Sequence, residues 1–177
     1  MLVDANVLLY AVDEQSRAHA SARNWLEEAL NGSRRVGLPW QSLLAFVRIV
    51  THPRALPTPL SPTDAWSFVS DWLDAPTAWV PHPGRGYRDI LGRLVTDLDL
   101  RGNLVSDAAL AALALEHGLA VVSADSDFAR FPGLTWINPV APCPREPPGG
   151  AAGRRRSQGK RKQPVSAARA RRSRRSR

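Results

Sequence analysis

At 177 residues the chain has room for one domain with a full core, and a second would be cramped. The formal net charge of +8 hides a division: residues 154–177 hold 12 of the 24 Lys and Arg and none of the 16 Asp and Glu, so residues 1–153 are mildly acidic. A single cysteine, Cys143, excludes an intramolecular disulfide and a cysteine-rich zinc site. No apolar run reaches membrane-spanning length, and an acid stands at position 4 where a leader peptide would be apolar, so a soluble cytoplasmic protein is the expectation.

The first element in chain order is a short strand at Leu2-Val3, ending at Asp4. Ala22, Trp25, Leu26, Ala29 and Leu30 recur at helical spacing and predict a helix over Ser16 to Asn31, with Gly32 as its stop. Val36-Gly37-Leu38 reads as a second strand. Pro39 then suits the first turn of a helix that carries Leu43, Phe46, Val47 and Val50 inward and ends at His52-Pro53. Ser61-Pro62-Thr63-Asp64 has the form of a helix start, with a capping serine, proline at the first position and an acid in the first turn; Ala65, Phe68, Val69, Trp72 and Leu73 continue it. Most of the six tryptophans, Trp25 and Trp72 among them, fall on such apolar faces and read as core or dimer interface.

Pro76 breaks that helix, and Thr77 to Val80 reads as a third strand. Tyr87, Ile90, Leu91, Leu94 and Leu98 predict a helix closed near Gly102-Asn103; Leu110, Leu113, Ala114 and His117 predict the next, with Gly118 at its C-terminal cap. Strands follow at Ala120 to Ser123 and Leu134 to Ile137. Alternating strands and helices imply a three-layer α/β/α sandwich around a mostly parallel sheet of about five strands. From Gly149 onward Val165 is the only sizeable apolar residue, so residues 141–177 are expected to form a disordered basic tail. Such a tail can attach to nucleic acid through its phosphates or serve only as a solvated extension.

The chemistry-bearing residues are aspartates far apart in the chain: Asp4 in LVDANVLLY, Asp107 in GNLVSDAALAAL, and Asp125 with Asp127 in AVVSADSDF. Asp4 and Asp125 each follow an apolar strand, at the sheet edge where open α/β folds bind ligands. Gathered carboxylates repel unless protons or a cation compensate, and Mg²⁺ is the usual partner of an all-oxygen set. Residues 1–153 contain no lysine, which argues against phosphotransfer through an aspartyl nucleophile; no GxxxxGK[ST] or GxGxxG motif occurs either. Carboxylates, metal and water suit phosphodiester hydrolysis. Against that reading, Asp107 near a helix start can be a charge on the helix dipole, Asp127 can be a turn residue, and Arg48 is expected to pair with a nearby acid.

MLVDANVLLYAVD, SDAALAALALEHGLAVVSADSDFARFPGL and the intervening GLPWQSLLAFVRIVTHPR resemble a PIN domain of the VapC toxin group, in its actinobacterial form, over residues 1 to 140. The resemblance implies an Mg²⁺-dependent endoribonuclease, with Mn²⁺ as an alternative ion, that is a homodimer held inactive by a VapB-like antitoxin. It implies that Asp4, Asp107 and Asp125 are catalytic metal ligands, that Asp127 is a further acid, and that Asn6 and Ser123 orient Asp4 and Asp125 by hydrogen bonding. One departure stands out: many PIN nucleases carry a glutamate in the helix after the second strand, where this chain reads Ala45-Phe46-Val47, with Phe46 at the acid's position. A degenerate PIN-like module that binds nucleic acid without cutting it is the alternative.

Overall fold

A computed structural model of the chain describes residues 1–140; the basic tail and its expected disorder lie outside the described residues. Five parallel strands, β1 (Leu2–Val3), β2 (Val36–Gly37), β3 (Ala78–Trp79), β4 (Val121–Val122) and β5 (Trp136–Ile137), form one sheet in the order β3-β2-β1-β4-β5. The order runs outward on both sides of β1, so the boundary between β1 and β4 is the sheet's switch point. β1 is as long as expected, and the other four strands are shorter than their apolar runs predict. Hydrogen bonds nevertheless continue past the strand ends, from Asp4 N to Val122 O at 3.0 Å and from Ser123 N to Ile137 O at 3.0 Å. These bonds bring Asp4 and Ser123 side by side at the C-terminal edge.

Strand side chains alternate between faces, and the core divides accordingly. Val3 and Val122 pack with helices α1 (Ala5–Val12), α2 (His19–Leu30), α3 (Trp40–Val50) and α4 (Pro62–Leu73). Leu2 and Val121 point the other way, into α5 (Tyr87–Asp97), α6 (Asn103–Glu116) and a short 3-10 helix, Ser126–Arg130. Gly37 permits close pairing in the sheet, because a Cβ there would collide with the Leu2 side chain. No helix among the described residues is long and apolar enough to cross a membrane.

Most predicted helices stand within a few residues. Ser61 caps α4 as its sequence indicates, accepting from Asp64 N at 3.1 Å and donating to Asp64 Oδ2 at 2.7 Å. Gly118 follows α6 with φ +63°, a left-handed stop that glycine adopts without strain. Three readings change. Pro39 is the N-cap of α3 rather than its first helical residue. α2 begins at His19 instead of Ser16. Helix α1 has no counterpart in the sequence reading, because Val7-Leu8-Leu9-Tyr10-Ala11 is apolar without a visible period; its start is set by Asp4, whose carboxylate accepts from Ala5 N at 2.7 Å. A further anchor is Glu116 at the end of α6, which accepts from Gly84, Gly86 and Tyr87 N–H groups at 2.7, 2.8 and 2.9 Å and so ties α6 to the start of α5. Those hydrogen bonds hold the Glu116 carboxyl below its ordinary pKa.

Candidate active site

Asp4 leaves the end of β1 and Asp107 descends from α6, and both line one cavity of about 260 Å³ together with Gln41, Ser42 and Ala45 of α3. Asp107 is the fifth residue of α6, and the first turn of that helix holds no acid, so its charge is not placed to serve the helix N-terminus. The reading of Asp107 as a dipole charge therefore falls away.

Asp4 is held on both oxygens. Oδ1 accepts from Ala5 N, and Oδ2 accepts from Ser123 Oγ at 2.7 Å. Ser123 is fully buried and in turn accepts from Asn6 Nδ2 at 2.9 Å and from Asp125 N at 3.0 Å, using its one proton and both lone pairs. Asn6 closes the network by accepting from Ala124 N at 3.1 Å, and Trp136 Nε1 donates to Ser123 O at 2.9 Å. Ser123 thus orients the Asp4 carboxylate and the backbone of Asp125; among the described residues Asn6 acts through Ser123 and makes no side-chain hydrogen bond to either acid.

Burial raises the Asp4 pKa and the charge of Asp125 adds to the rise, while the Ser123 and Ala5 hydrogen bonds oppose it. Among the described residues Asp107 has no such donors, and it takes the larger effect. Burial, then the charges of Asp4, Asp125 and Asp127, push it up to about 6 against a smaller pull from Arg130. Asp125 Oδ1 accepts from Asp127 N at 2.8 Å and caps the 3-10 helix. Asp127 Oδ1 pairs with Arg130 Nη2 at 2.6 Å. Neither Asp125 nor Asp127 lines the Asp4–Asp107 cavity, and the two act on it through their charge.

The departure at α3 takes a different form in space. Phe46 is fully buried in the core, edge-on to Trp72 at 4.8 Å between ring centroids, and it does not face the acids. The α3 residues beside Asp4 and Asp107 are Gln41, Ser42 and Ala45, so the position where an added acid would reach the cavity is Ala45 rather than Phe46. Ser42 was not marked in the sequence; its available signal is a small polar residue in the first turn of an otherwise inward-facing apolar helix. Arg48 forms no ion pair among the described residues, against the expectation that it would. A larger cavity of about 550 Å³, lined by Leu26, Phe68 and Trp72 and by Glu14, Glu27, Asp71 and Asp74 beside His19 and Arg23, borders none of Asp4, Asp107, Asp125 and Asp127.

The smaller cavity joins two carboxylates that resist ionising together with a buried hydroxyl, that of Ser42, that has no partner among the described residues. That donor set is all oxygen and fits a hard divalent cation. Among the described residues no three His, Cys, Asp or Glu side chains converge into a ready cage. A pair suits Mg²⁺ better than Zn²⁺, because Mg²⁺ keeps several waters and needs one or two carboxylates.

Against known proteins, the PIN domain family matches residues 1–134. Ribonuclease VapC37 of Mycobacterium tuberculosis is 49% identical over 140 residues, covering 79% of this chain and 97% of that protein. The chain belongs to the PIN-domain family of VapC ribonucleases. Ribonuclease VapC43 of the same organism is a second relative of this PIN domain, at 42% identity over 140 residues, covering 79% of this chain and 95% of its own. Among solved structures, the VapBC2 complex of Rickettsia felis bound to a promoter DNA fragment shares the PIN fold with a TM-score of 0.58 at 18% identity, over 77% of this chain and 96% of that one. M. tuberculosis VapC20, described as a sarcin-ricin loop cleaving toxin, does so with a TM-score of 0.55 at 14% identity, over 72% and 92%.

Proposed function

We propose that this chain is the toxin of a type II toxin–antitoxin pair, an Mg²⁺-dependent endoribonuclease that hydrolyses RNA phosphodiester bonds. The observation that carries the reading is the pairing of Asp4 and Asp107 in one small cavity at the switch point of the sheet, in a chain of the VapC family.

Asp4 and Asp107 would hold the ion, Mg²⁺ or in its place Mn²⁺, with Asp125 contributing negative charge nearby. Bound there, the cation would supply a Lewis acid and lower the pKa of a water. Ser123 fixes the rotamer of Asp4, and Asn6 fixes Ser123, so the Asp4 carboxylate is oriented before anything binds. Asp107, whose pKa is pushed up to about 6, would take the ion in competition with a proton. A bound cation would also offset the repulsion between these acids and an RNA phosphate.

The VapC relatives and the VapBC complexes among the fold neighbours support a VapB-like antitoxin as partner. Trp40, Leu44 and Trp66 are exposed, with the two indoles stacked 6.4 Å apart, and they supply an apolar surface that a second copy would cover in a homodimer. The test is cleavage of RNA and of DNA by the purified chain in Mg²⁺ and in EDTA, alongside Asp4→Asn and Asp107→Asn. RNA cleavage that needs Mg²⁺ and both acids supports the reading; RNA binding without cleavage supports the binding-module alternative.

A further inference from the structure

Two buried side-chain polar atoms have no hydrogen-bond partner among the described residues, Ser42 Oγ and Trp79 Nε1. A buried hydroxyl left unpaired is costly, and proteins rarely leave one without a use. Ser42 is only 2% exposed, and it lines the cavity that holds Asp4 and Asp107. Ser42 is the third residue of α3, so the carbonyl four residues back, that of Leu38, lies before the helix, and the hydroxyl finds no acceptor among the described residues. Its backbone N–H is already engaged, donating to Pro39 O at 2.9 Å. The hydroxyl therefore has both a proton and lone pairs to offer beside two carboxylates, on the helix that supplies no acid of its own to the cavity.

We propose that Ser42 is a positioning residue of the Asp4–Asp107 site, its hydroxyl fixing a hydration water of the cation that the two carboxylates hold. The inference rests on the metal reading above. It gives the site a neutral support from α3, the helix that brings no carboxylate to the cavity, with weaker charge compensation than an acid at Ala45 would supply and less repulsion among the acids. Trp79 Nε1 invites no comparable reading: Trp79 lies at the far edge of the sheet, stacked under the Arg35 guanidinium at 4.7 Å and edge-on to His117, away from the acids.

The test compares the full chain with Ser42→Ala, using Asp107→Asn as the reference without a site. Thermal melting is followed in EDTA and in Mg²⁺, and Mg²⁺ affinity is measured by calorimetry. In EDTA, Ser42→Ala should melt at or above the wild-type temperature, because the hydroxyl it removes has no partner in the metal-free protein. Its Mg²⁺ affinity should fall about tenfold, the effect of losing an outer-sphere support, and Mg²⁺ should raise its melting temperature less. Wild-type affinity in Ser42→Ala, or a lower melting temperature in EDTA, overturns the role of Ser42 while leaving the metal reading standing. No Mg²⁺ binding by the wild type, or equal binding by Asp107→Asn, overturns both.

Discussion

Ser123 Oγ donates to Asp4 Oδ2 at 2.7 Å, joining two residues 119 positions apart across the β1–β4 boundary. Because Ser123 also accepts from Asn6 and from Asp125 N–H, Ser123→Ala strands two donors as well as releasing Asp4. The expected loss of stability is about 2 kcal/mol by urea denaturation, and the Asp4 pKa should rise further in an NMR titration of the carboxyl carbons. An unchanged Asp4 titration would show that the serine does not hold it.

Asp107 gives the metal-free protein a distinctive dependence on pH. Its folded pKa of about 6 lies above its ordinary value, so between about pH 4 and 6 the folded state binds the proton more tightly than the unfolded chain. Stability contributed by that proton is present at low pH and is lost as pH rises through the window. Measured in EDTA, the stability of wild type relative to Asp107→Asn should therefore decline from pH 4.5 to 7 and level off above it. A difference that is flat or rises with pH contradicts the placement of Asp107 beside Asp4 and Asp125.

Ala45 and Phe46 are neighbours with opposite surroundings, and substitution should separate them. Ala45→Glu adds a carboxylate to the cavity; Mg²⁺ affinity should increase on the order of tenfold, while the added repulsion lowers the melting temperature in EDTA. Phe46→Glu puts a charge among Trp72 and Phe68 and removes a packed ring, for an expected loss of at least about 3 kcal/mol. Calorimetry on the first and circular dichroism on the second check the pair.

Asp127 is committed to Arg130 at the surface, both side chains being more than two-fifths exposed. Asp127→Asn should cost less than about 1 kcal/mol and leave Mg²⁺ affinity near that of the wild type, in contrast to Asp4→Asn. Arg130→Ala removes a cation that offsets the acids, so the Asp107 pKa should move up again, as read by NMR titration. A large loss of Mg²⁺ binding in Asp127→Asn would instead make Asp127 a direct ligand.

The exposed Trp40–Trp66 stack with Leu44 predicts self-association. Light scattering of the full chain should give a dimer, and Leu44→Glu with Trp66→Ser should give a folded monomer. A dimer that persists in the double variant would move the interface elsewhere.

By itself the sequence determined what depends on short stretches of chain. The alternation of strands and helices, the Ser61 cap, the Gly118 stop and the placement of Asp4 and Asp125 past strand ends were legible, because periodicity, capping and turn chemistry are properties of neighbouring residues. Three motifs in order also marked the family. Tertiary structure decided the rest. Helix α1 was hidden in a run apolar throughout, and which side of it is buried depends on the sheet and on α2 and α3 packed around it. One turn of α3 presents Ser42 and Ala45 to the acids and Phe46 to Trp72, a division set by the direction in which the helix leaves β2. The elevated pKa of Asp107 and the diversion of Asp127 to Arg130 likewise arise from charges brought together by folding, and no spacing along the chain encodes a distance between them.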